Sequence, residues 1–370
     1  MELKVKKDEL LKSTGRAQAI SEKRSAMQIL ANLLLKASIK RVEVLATDLE
    51  IGFHGSCEAE VIAEGSVCLP ARTFHSIIRE LGGEEIRLKE LGNHRVLIES
   101  GRTRYELAGL PAEEYPALPD HEKVETIEVS VEDLKEMLDK TIFSMAAEEG
   151  RYNLAGVYLE KVKDETLLRL VSTDGHRLSL IERALDRLVN LDLAKGAILP
   201  RKGVLEMRRL LEEATAARLG IKGSTAVLKV GDSSLIMRLM ETRYPDYRQV
   251  IPSDQAAISF VAKRPELLEA LRRISLLITD QYRGIRMDIG PEGIILSHRN
   301  PDLGEAREAL AGEHDIPSLT LGFNGGYVME ALKAMRSEEV RFSLNEPLKP
   351  FKITGEADEN FLAVIMPLQL

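Results

Sequence analysis

Three stretches of the chain repeat a single pattern, a strand followed by a polar turn. They read RVEVLATDLEIG at residues 41–52, LLRLVSTDGHRL at 167–178 and IILSHRNPDLGEA at 294–306. Apolar residues alternate with polar ones, as in a half-buried β-strand, and Asp or Asn then introduces the turn. Thr47 of the first stretch and Thr173 of the second are 126 residues apart. This spacing predicts a repeated domain rather than a short motif.

Each stretch lies between two segments whose apolar residues recur close to the 3.6-residue period of an α-helix. The first helix of each repeat is predicted around residues 10–17, 134–142 and 267–274, and the second around 74–81, 204–211 and 328–335. Hairpin-like pairs of strands starting at Arg95, Ala226 and Val340 then close the units. Two helices on one face of an antiparallel sheet form an α+β layer. The sequence therefore predicts three α+β domains, at residues 1–123, 124–252 and 253–370.

Composition narrows the class of protein. With 44% hydrophobic and 30% charged residues, the chain has the content of a soluble globular protein. It carries 51 Lys and Arg against 59 Asp and Glu, a net charge of −8, so any contact with nucleic acid requires a locally basic surface. Cys57 and Cys68 are too few for a disulfide framework or a zinc site, which indicates a reducing compartment such as the cytoplasm. Residues 1–11 lack a signal-peptide core, and no apolar run reaches membrane-spanning length.

Short motifs along the whole chain match one known family in their order and spacing. They are ATDLE from Ala46, LPAR from Leu69, SGRTR from Ser100, STDGHRL from Ser172, LPRKGV from Leu199, YPDYR from Tyr244, RGIRM from Arg283, GFN from Gly322 and VIMPLQL from Val364. Over all 370 residues the chain resembles the bacterial sliding clamps, the beta subunits of DNA polymerase III. The resemblance implies three repeated DNA-clamp domains per chain. It also implies a head-to-tail homodimer whose six domains form a ring around duplex DNA, with helices inside and sheets outside.

The function that the resemblance implies is that of a non-catalytic processivity factor with no cofactor and no metal. The ring would encircle double-stranded DNA without sequence specificity and slide along it. It would tether the replicative DNA polymerase, the clamp-loader complex and other clamp-binding-motif proteins of replication and repair. Contacts to phosphates suit sliding because they carry no sequence information. Such a protein would work in the cytoplasm on nucleoid DNA, with no membrane partner.

Matching positions imply a set of DNA-binding residues, namely Arg24, Arg72, Tyr152, Asn153, Arg201 and Lys202. The alternative is that the basic members are ordinary solvated residues, which is the commonest fate of surface charge. Asn153 stands where relatives often have a second aromatic residue, so stacking on an exposed base would be weaker there.

The family docks short peptides, often of the Gln-Leu-x-Leu-Phe kind, in a pocket between the second and third domains. The matching residues are Leu154, Thr173, Gly175, His176, Arg177, Leu178, Pro245, Gln249, Val250, Asn324, Tyr327, Leu348, Val364, Ile365, Met366, Pro367, Leu368, Gln369 and Leu370. Apolar walls with a few polar groups suit the apolar anchors of a peptide. Taken alone, Asp174 and His176 also suggest catalysis. Because no nucleophile motif accompanies them, a polar turn is the favoured interpretation.

For the joint between two protomers, the resemblance pairs a strand edge of domain one with a strand edge of domain three. The matching residues are Arg102, Arg104 and Tyr105 on one side and Leu276, Leu277, Glu305 and Glu308 on the other. Opposite charges would help to set the register. For Leu276 and Leu277 the alternative is that they form the end of a core helix.

Two other classes of function compete with the clamp. An enzyme is disfavoured because the sequence has no P-loop, nucleophile elbow, HExxH motif, Cys/His cluster or Rossmann fingerprint, and GFNGGY from Gly322 lacks the required spacing. A scaffold that binds proteins but not DNA would also suit the acidic total charge. Retention on circular DNA would distinguish a clamp from such a scaffold.

Overall fold

The computed structural model describes residues 1–22, 27–119, 121–147, 152–162, 166–253, 255–312, 316 and 318–369. In the first third of the chain the elements are β1 (Glu2–Lys6), α1 (Lys7–Ile20), β2 (Asn32–Ser38), β3 (Arg41–Thr47), β4 (Ile51–Ala63), β5 (Gly65–Pro70), α2 (Ala71–Glu80), β6 (Glu85–Glu90), β7 (Arg95–Ser100) and β8 (Thr103–Ala108).

The middle third repeats this order. Its elements are β9 (Ile127–Val129), α3 (Val131–Ile142), β10 (Gly156–Val162), β11 (Leu167–Thr173), β12 (Arg177–Ala184), β13 (Ala197–Pro200), α4 (Arg201–Leu210), β14 (Ala217–Lys222), β15 (Thr225–Val230) and β16 (Ser233–Arg238).

The last third repeats it again. Its elements are β17 (Ile258–Lys263), α5 (Arg264–Ile274), β18 (Gly284–Gly290), β19 (Gly293–Asn300), β20 (Gly304–Ala311), β21 (Leu319–Asn324), α6 (Gly325–Ala334), β22 (Glu339–Leu344), β23 (Phe351–Gly355) and β24 (Phe361–Ile365).

The chain divides into two compact units, and the division runs through the middle repeat. The first unit consists of Met1–Glu132, Asp186–Leu193 and Lys202–Met240, and the second of Asp133–Leu185, Ala194–Arg201 and Glu241–Leu370. Each unit therefore contains one terminal repeat together with a part of the middle one.

A 12-stranded antiparallel sheet forms the first unit. Its main path runs β8-β7-β6-β1-β4-β16-β15-β14-β9, and β3, β2 and β5 continue from β4. At 13 residues β4 is long enough to pair with β1 through Ala59–Ala63 and with β16 through Ile51–Gly55. The pair of β4 and β16 joins the first repeat to the middle one by main-chain hydrogen bonds.

The second unit contains an 8-stranded sheet, β13-β10-β11-β12-β24-β23-β22-β17, and a 4-stranded sheet, β20-β19-β18-β21. In the larger sheet β12 pairs with β24, so that Arg177 lies opposite Ile365 and joins the middle repeat to the last. The corresponding pair in the first unit places Ile51 opposite Met237. The two joints within the chain are thus built alike.

Helix α1 shows how the apolar pattern produces this layering. Leu10, Ala17 and Ile20 are at most 1% exposed, and the helix packs against α2, β3 and β4. Full burial of a side chain the size of leucine contributes about 1.5–3 kcal/mol. The same spacing buries Leu134 and Met137 in α3. One face of each helix is therefore committed to the core, and its polar face is left for other contacts.

The predicted α+β fold is confirmed, and the described residues contain all six predicted helices. The hairpins predicted from Arg95 and Ala226 also form, with turns at Gly101 and Gly231, where φ is +57° and +54°. A backbone with positive φ favours glycine. The core-helix alternative for Leu276 is wrong, because α5 ends at Ile274 and Leu276 lies in a following 3-10 turn with 80% of its surface exposed.

Candidate functional site

The turn between β11 and β12 is held by its own side chains. Asp174 Oδ1 accepts hydrogen bonds from the amides of His176 at 2.9 Å and Arg177 at 3.1 Å. Thr173 Oγ1 accepts from the Gly175 amide at 3.0 Å and donates to Arg177 O at 2.6 Å. Gly175 has φ +86°, which a larger residue adopts only with strain. The Thr-Asp-Gly sequence therefore forms a turn that its own side chains stabilise, as predicted. Asp174 accepts hydrogen bonds from backbone amides and does not face a catalytic partner.

Arg177 leaves this turn with its guanidinium group fixed on several sides. Nε donates to Asp174 Oδ2 at 3.0 Å, and Nη1 forms an ion pair with Glu330 on α6. The guanidinium carbon lies 4.4 Å from the ring centroid of Tyr327 and 5.6 Å from that of Phe143. Charge pairing and cation–π contact together define one orientation for this side chain.

The C-terminal tail after β24 is attached to the same turn. Met366 N donates to His176 O at 2.9 Å, and Leu368 N donates to Gly322 O at 2.7 Å. At the start of α6 the side chain of Asn324 accepts from Gly326 N at 2.9 Å and caps the helix. The cap fixes the first turn of α6, from which Tyr327 faces the ring of His176 at a centroid distance of 6.4 Å.

A cavity of about 760 Å³ lies between the tail and the 4-stranded sheet. This volume is in the range of ordinary ligand pockets. Of the predicted peptide-binding residues it is lined by His176, Asn324, Tyr327, Met366, Pro367, Leu368 and Gln369. Its other wall consists of Asp280, Gln281, Tyr282, Arg283, Gly284, Arg286, Ser297, His298, Arg299 and Glu305. Except for Glu305, which is predicted for the joint between protomers, these residues are not among the predicted binding residues, although Arg283, Gly284 and Arg286 belong to the RGIRM motif.

The other predicted peptide-binding residues do not line this cavity. The buried ones are Leu154, Thr173, Leu178, Val364 and Ile365. Gly175, Arg177 and Val250 are half-buried, and Pro245, Gln249 and Leu348 are exposed. Leu370 lies outside the described residues. The cavity therefore accounts for the tail side of the predicted site and not for the whole of it.

The predicted DNA-binding residues occupy unlike environments. Arg72 is exposed in the first turn of α2. Arg201 Nη1 lies 3.3 Å from Met145 O and 3.4 Å from Ala146 O. Tyr152 and Asn153 lie in a 3-10 turn, where Asn153 is half-buried. Arg24 lies outside the described residues.

Lys202 has intramolecular partners that the sequence pattern did not indicate. Its Nζ donates to Ile20 O at 2.8 Å and forms an ion pair with Asp48. Asp48 comes from the ATDLE motif, and its other oxygen accepts from Ile51 N at 2.7 Å. The ammonium group of Lys202 therefore already serves as a structural donor, so a contact to a phosphate would have to share it or compete with these partners.

The residues predicted for the joint between protomers lie on two sheet edges. Strand β8 carries Arg104 and Tyr105, follows directly after Arg102, and forms one end of the 12-stranded sheet with all three side chains exposed. Strand β20 carries Glu305 and Glu308 and forms one end of the 4-stranded sheet. Glu308 accepts from Arg273 Nε at 3.0 Å, and this hydrogen bond is the main cause that lowers the pKa of its carboxyl group.

Leu277 belongs to the same 3-10 turn as Leu276, and its carbonyl group is held from two directions. It accepts from Asn300 Nδ2 at 2.9 Å and lies 3.2 Å from His298 Nε2. The opposite nitrogen of His298, Nδ1, lies 2.7 Å from Gly284 O. The turn is therefore tied to the end of β19, which leaves the Leu276 side chain exposed beside the β20 edge.

Outside this region, the two cysteine thiols lie in the protein interior. Cys57 and Cys68 are both buried and free, and burial raises the pKa of the Cys68 thiol to about 12. Across the described ranges, no three His, Cys, Asp or Glu side chains are grouped as metal ligands would be. None of the helices in the described part of the chain is both long and apolar enough to cross a membrane.

Comparison with known proteins identifies three consecutive family matches along the chain. The descriptions are the N-terminal, central and C-terminal domains of the DNA polymerase III beta subunit, and they cover residues 1–119, 128–246 and 248–369 respectively. The beta sliding clamp of Caulobacter vibrioides is 31% identical over 376 residues, covering 100% of both chains.

Solved structures give the same result. The polymerase III beta subunit of Caulobacter crescentus has a TM-score of 0.93 at 30% identity, with 100% of both chains covered. A sliding clamp from Bartonella birtlesii, solved bound to griselimycin, has a TM-score of 0.94 at 31% identity, again with 100% of both chains covered.

Proposed function

This chain belongs to the DNA polymerase III beta subunits, the beta sliding clamps, and we propose that it functions as a head-to-tail homodimer whose ring encloses duplex DNA. It is a DNA sliding clamp, a non-catalytic processivity subunit of replication. We also assign the protein to the cytoplasm, where the nucleoid DNA lies.

The dimer is supported by two strands, β8 and β20, that lie at the ends of their sheets. Within the chain, the closing hairpin strand of one repeat pairs with the strand after the polar turn of the preceding repeat, as β16 with β4 and β24 with β12. Strand β8 is the closing hairpin strand of the first repeat, and β20 is the strand after the polar turn of the last repeat. Each lies at one end of its sheet. Pairing β8 of one protomer with β20 of its partner would repeat the two internal joints and leave neither edge open.

Charge and exposure also support this joint. Arg102 and Arg104 on the β8 side are exposed, as is Glu305 on the β20 side. Opposite charges on two approaching edges favour one register over its neighbours. Leu276 exposes 80% of its surface beside β20, and its burial in the joint would remove an exposed apolar side chain from water.

For DNA contact, the helices provide the local positive charge that the whole chain lacks. The six helices of the described residues carry 15 Lys and Arg against 11 Asp and Glu, whereas the chain carries 51 against 59. In α4 the ratio is four to one. We assign Arg24, Arg72, Tyr152, Asn153, Arg201 and Lys202 to the DNA side. Long-range attraction to phosphates with little base contact is what sliding requires.

The partner surface in this proposal consists of the cavity beside the C-terminal tail, the β11–β12 turn, and the predicted residues Pro245, Gln249 and Val250. Met366, Pro367 and Leu368 supply the apolar contacts, and His176 and Tyr327 supply aromatic faces. Short peptides of the replicative polymerase, the clamp loader and repair proteins would dock there through their apolar side chains. Flexible methionine at the centre of such a surface accommodates peptides of different shape.

Imaging of the purified protein by single-particle electron microscopy tests the ring. Wild-type protein at micromolar concentration is expected to form closed rings with six lobes. Leu276→Asp should dissociate them, because the new carboxylate would be buried at the joint. Val189→Asp is the matched control, since Val189 is also a largely exposed apolar residue but lies outside the proposed joint.

Rings in the Val189→Asp protein and separate three-lobed particles in the Leu276→Asp protein would support the joint. Closed rings in both proteins would contradict the assignment of Leu276. Retention then tests the DNA function: a loaded ring should stay on circular DNA and leave linear DNA through its ends. Equal loss from both forms would favour a protein scaffold without topological linkage.

A further inference from the structure

Three residues of the proposed docking surface, Pro245, Gln249 and Val250, lie in a segment with little regular structure. Its helical part is the 3-10 turn Tyr247–Val250, which is followed by one hydrogen bond from Ile251 N to Arg248 O at 3.3 Å. A segment with few backbone hydrogen bonds is held in place only as firmly as its side chains hold it.

Three neighbouring strands form a row of alternating charges on one face of the 8-stranded sheet. Glu160 on β10 lies opposite Arg169 on β11, and Arg169 lies opposite Glu182 on β12. Arg169 Nη1 donates to Glu160 Oε1 at 3.1 Å, and Arg169 Nε donates to Glu182 Oε1 at 2.7 Å. The Glu160 side chain is 11% exposed, so its charge depends on these donors rather than on water.

The 244–250 segment is attached to this row through Glu160. The Tyr247 hydroxyl donates to Glu160 Oε1, and Arg248 Nη2 lies 2.7 Å from both carboxylate oxygens. Arg169 Nη1 in turn donates to the Tyr247 hydroxyl at 2.8 Å. Burial raises the pKa of Tyr247, so the hydroxyl keeps its proton and remains a donor.

A stacked pair of rings holds the beginning of the segment on the same strand. The rings of Tyr158 and Tyr244 have a centroid distance of 4.9 Å and an angle of 7° between their planes. Tyr158 and Glu160 are two residues apart on β10, and alternate residues of a strand point to one face. The segment is thus fixed to β10 at Tyr244 by stacking and at Tyr247 and Arg248 by charge-assisted hydrogen bonds.

The strands under this segment also carry the turn that forms the other side of the docking surface. β11 ends at Thr173 and β12 begins at Arg177, so the row of charges and the turn belong to the same three strands. We propose that Glu160, supported by Arg169, is a positioning residue for peptide docking. It holds residues 244–250 at the separation from the turn that a bound peptide requires. This proposal rests on the proposed docking function.

The test compares two carboxylates of one row. Glu160→Gln removes the charge that binds Tyr247 and Arg248, whereas Glu182→Gln removes the same charge from a residue that contacts Arg169 and not the segment. We measure the affinity of a labelled Gln-Leu-x-Leu-Phe peptide for each full-length protein by fluorescence anisotropy. Glu160→Gln should weaken binding about tenfold, mostly by faster dissociation, and Glu182→Gln by less than about twofold.

Hydrogen exchange provides a readout that a general loss of stability would not reproduce. The amides of residues 247–251 should exchange about tenfold faster in the Glu160→Gln protein and at the wild-type rate in the Glu182→Gln protein. Tyr247→Phe, which removes a hydroxyl and keeps the ring, should weaken the peptide about threefold and serves as the second variant if Glu160→Gln does not fold.

Unchanged peptide affinity in the Glu160→Gln protein, or equal losses in both glutamine variants, would overturn the positioning role. If wild-type protein binds the peptide and Met366→Asp with Leu368→Asp abolishes binding while Glu160→Gln does not weaken it, only the positioning role is wrong. If the wild-type protein binds no peptide, the docking function is wrong and the positioning role fails with it.

Discussion

The turn between β3 and β4 and the turn between β11 and β12 share their hydrogen bonds but differ in their surroundings. In the first, Thr47 Oγ1 accepts from Leu49 N at 2.9 Å and Asp48 Oδ1 accepts from Glu50 N at 3.0 Å. In the second, the equivalent distances, from Gly175 N and His176 N, are 3.0 Å and 2.9 Å. Each turn also receives the next repeat in the same way, since Arg238 N donates to Glu50 O and Met366 N donates to His176 O.

Side chains around the two turns differ at a few positions. Ile51 stands where the second turn has Arg177. The third residue of the neighbouring helix is Gly203 in α4 but Tyr327 in α6. The acid of the first turn, Asp48, is paired with Lys202, whereas that of the second, Asp174, holds Arg177. The same backbone joint therefore occurs twice in the chain. Because the surrounding side chains differ, the second joint lies beside a cavity that His176 and Tyr327 line with aromatic rings.

The largest predicted effect is on peptide binding and tests whether only the second joint docks peptides. Met366→Asp combined with Leu368→Asp should weaken the Gln-Leu-x-Leu-Phe peptide by at least about 100-fold, which is about 2.7 kcal/mol, because carboxylates would be buried against apolar anchors. Leu49→Asp is the matched control at the first turn, where Leu49 is exposed and has φ +77°. Fluorescence anisotropy measures both. A comparable loss in the Leu49→Asp protein would mean that the first joint also takes part.

A smaller effect is expected on the free energy of unfolding, and it should differ between Asp48 and Asp174, the acidic residues of the two turns. Asp48→Asn should lower the free energy of unfolding by about 1.5 kcal/mol, because half-buried Lys202 would lose its carboxylate partner. Asp174→Asn should cost about 0.5 kcal/mol, because Arg177 keeps its ion pair with Glu330. Both asparagines retain the oxygen that accepts from the turn amides. Guanidinium unfolding measures the difference, and equal costs would contradict the partner assignment.

The smallest predicted effect depends on pH and concerns Glu206, which occupies in α4 the position of Glu330 in α6. Burial raises the pKa of Glu206, against the opposing influence of Arg209. A folded-state pKa above the unfolded value means that the contribution to stability is present at low pH and is lost as the pH rises through the folded-state pKa. Glu206→Gln should therefore stabilise the protein at neutral pH, by about 0.5–1 kcal/mol, and the gain should disappear in acid.

Thermal unfolding at pH 7 and at pH 4 measures this gain. Glu330→Gln is the control, because Glu330 is paired with Arg177 and its replacement removes an ion pair instead of a buried charge. No stabilisation is expected from it at either pH. A gain for Glu206→Gln that persists in acid would show that packing rather than charge is responsible.

Much of this architecture could be predicted from local patterns. The spacing of apolar residues predicts all six helices, because burial of one helix face depends on residues three and four positions apart. Thr173, Asp174 and Gly175 predict a turn because each acts on the backbone within four residues of itself. The resemblance to sliding clamps added site residues, and seven of those predicted for peptide binding line one cavity.

Other features depend on contacts between residues that are far apart in the chain. Part of the second wall of the cavity, Asp280 to Arg283, lies between a 3-10 turn and β18 and has no distinctive periodicity. Glu160 reads as a polar residue on a strand, yet it binds Arg248, 88 residues away. Nothing in its local sequence indicates that partner.

Local sequence is enough to predict the threefold repeat, the α+β layering and the two polar turns, because each depends on side chains that act on their own stretch of backbone. In contrast, which charged groups are already paired within the protein depends on its folded structure. Lys202 reads as a basic residue at a helix start, but folding brings it to Asp48, 154 positions earlier. Electrostatic pairing depends on distance in space and on exclusion of water, and neither can be read from position along the chain.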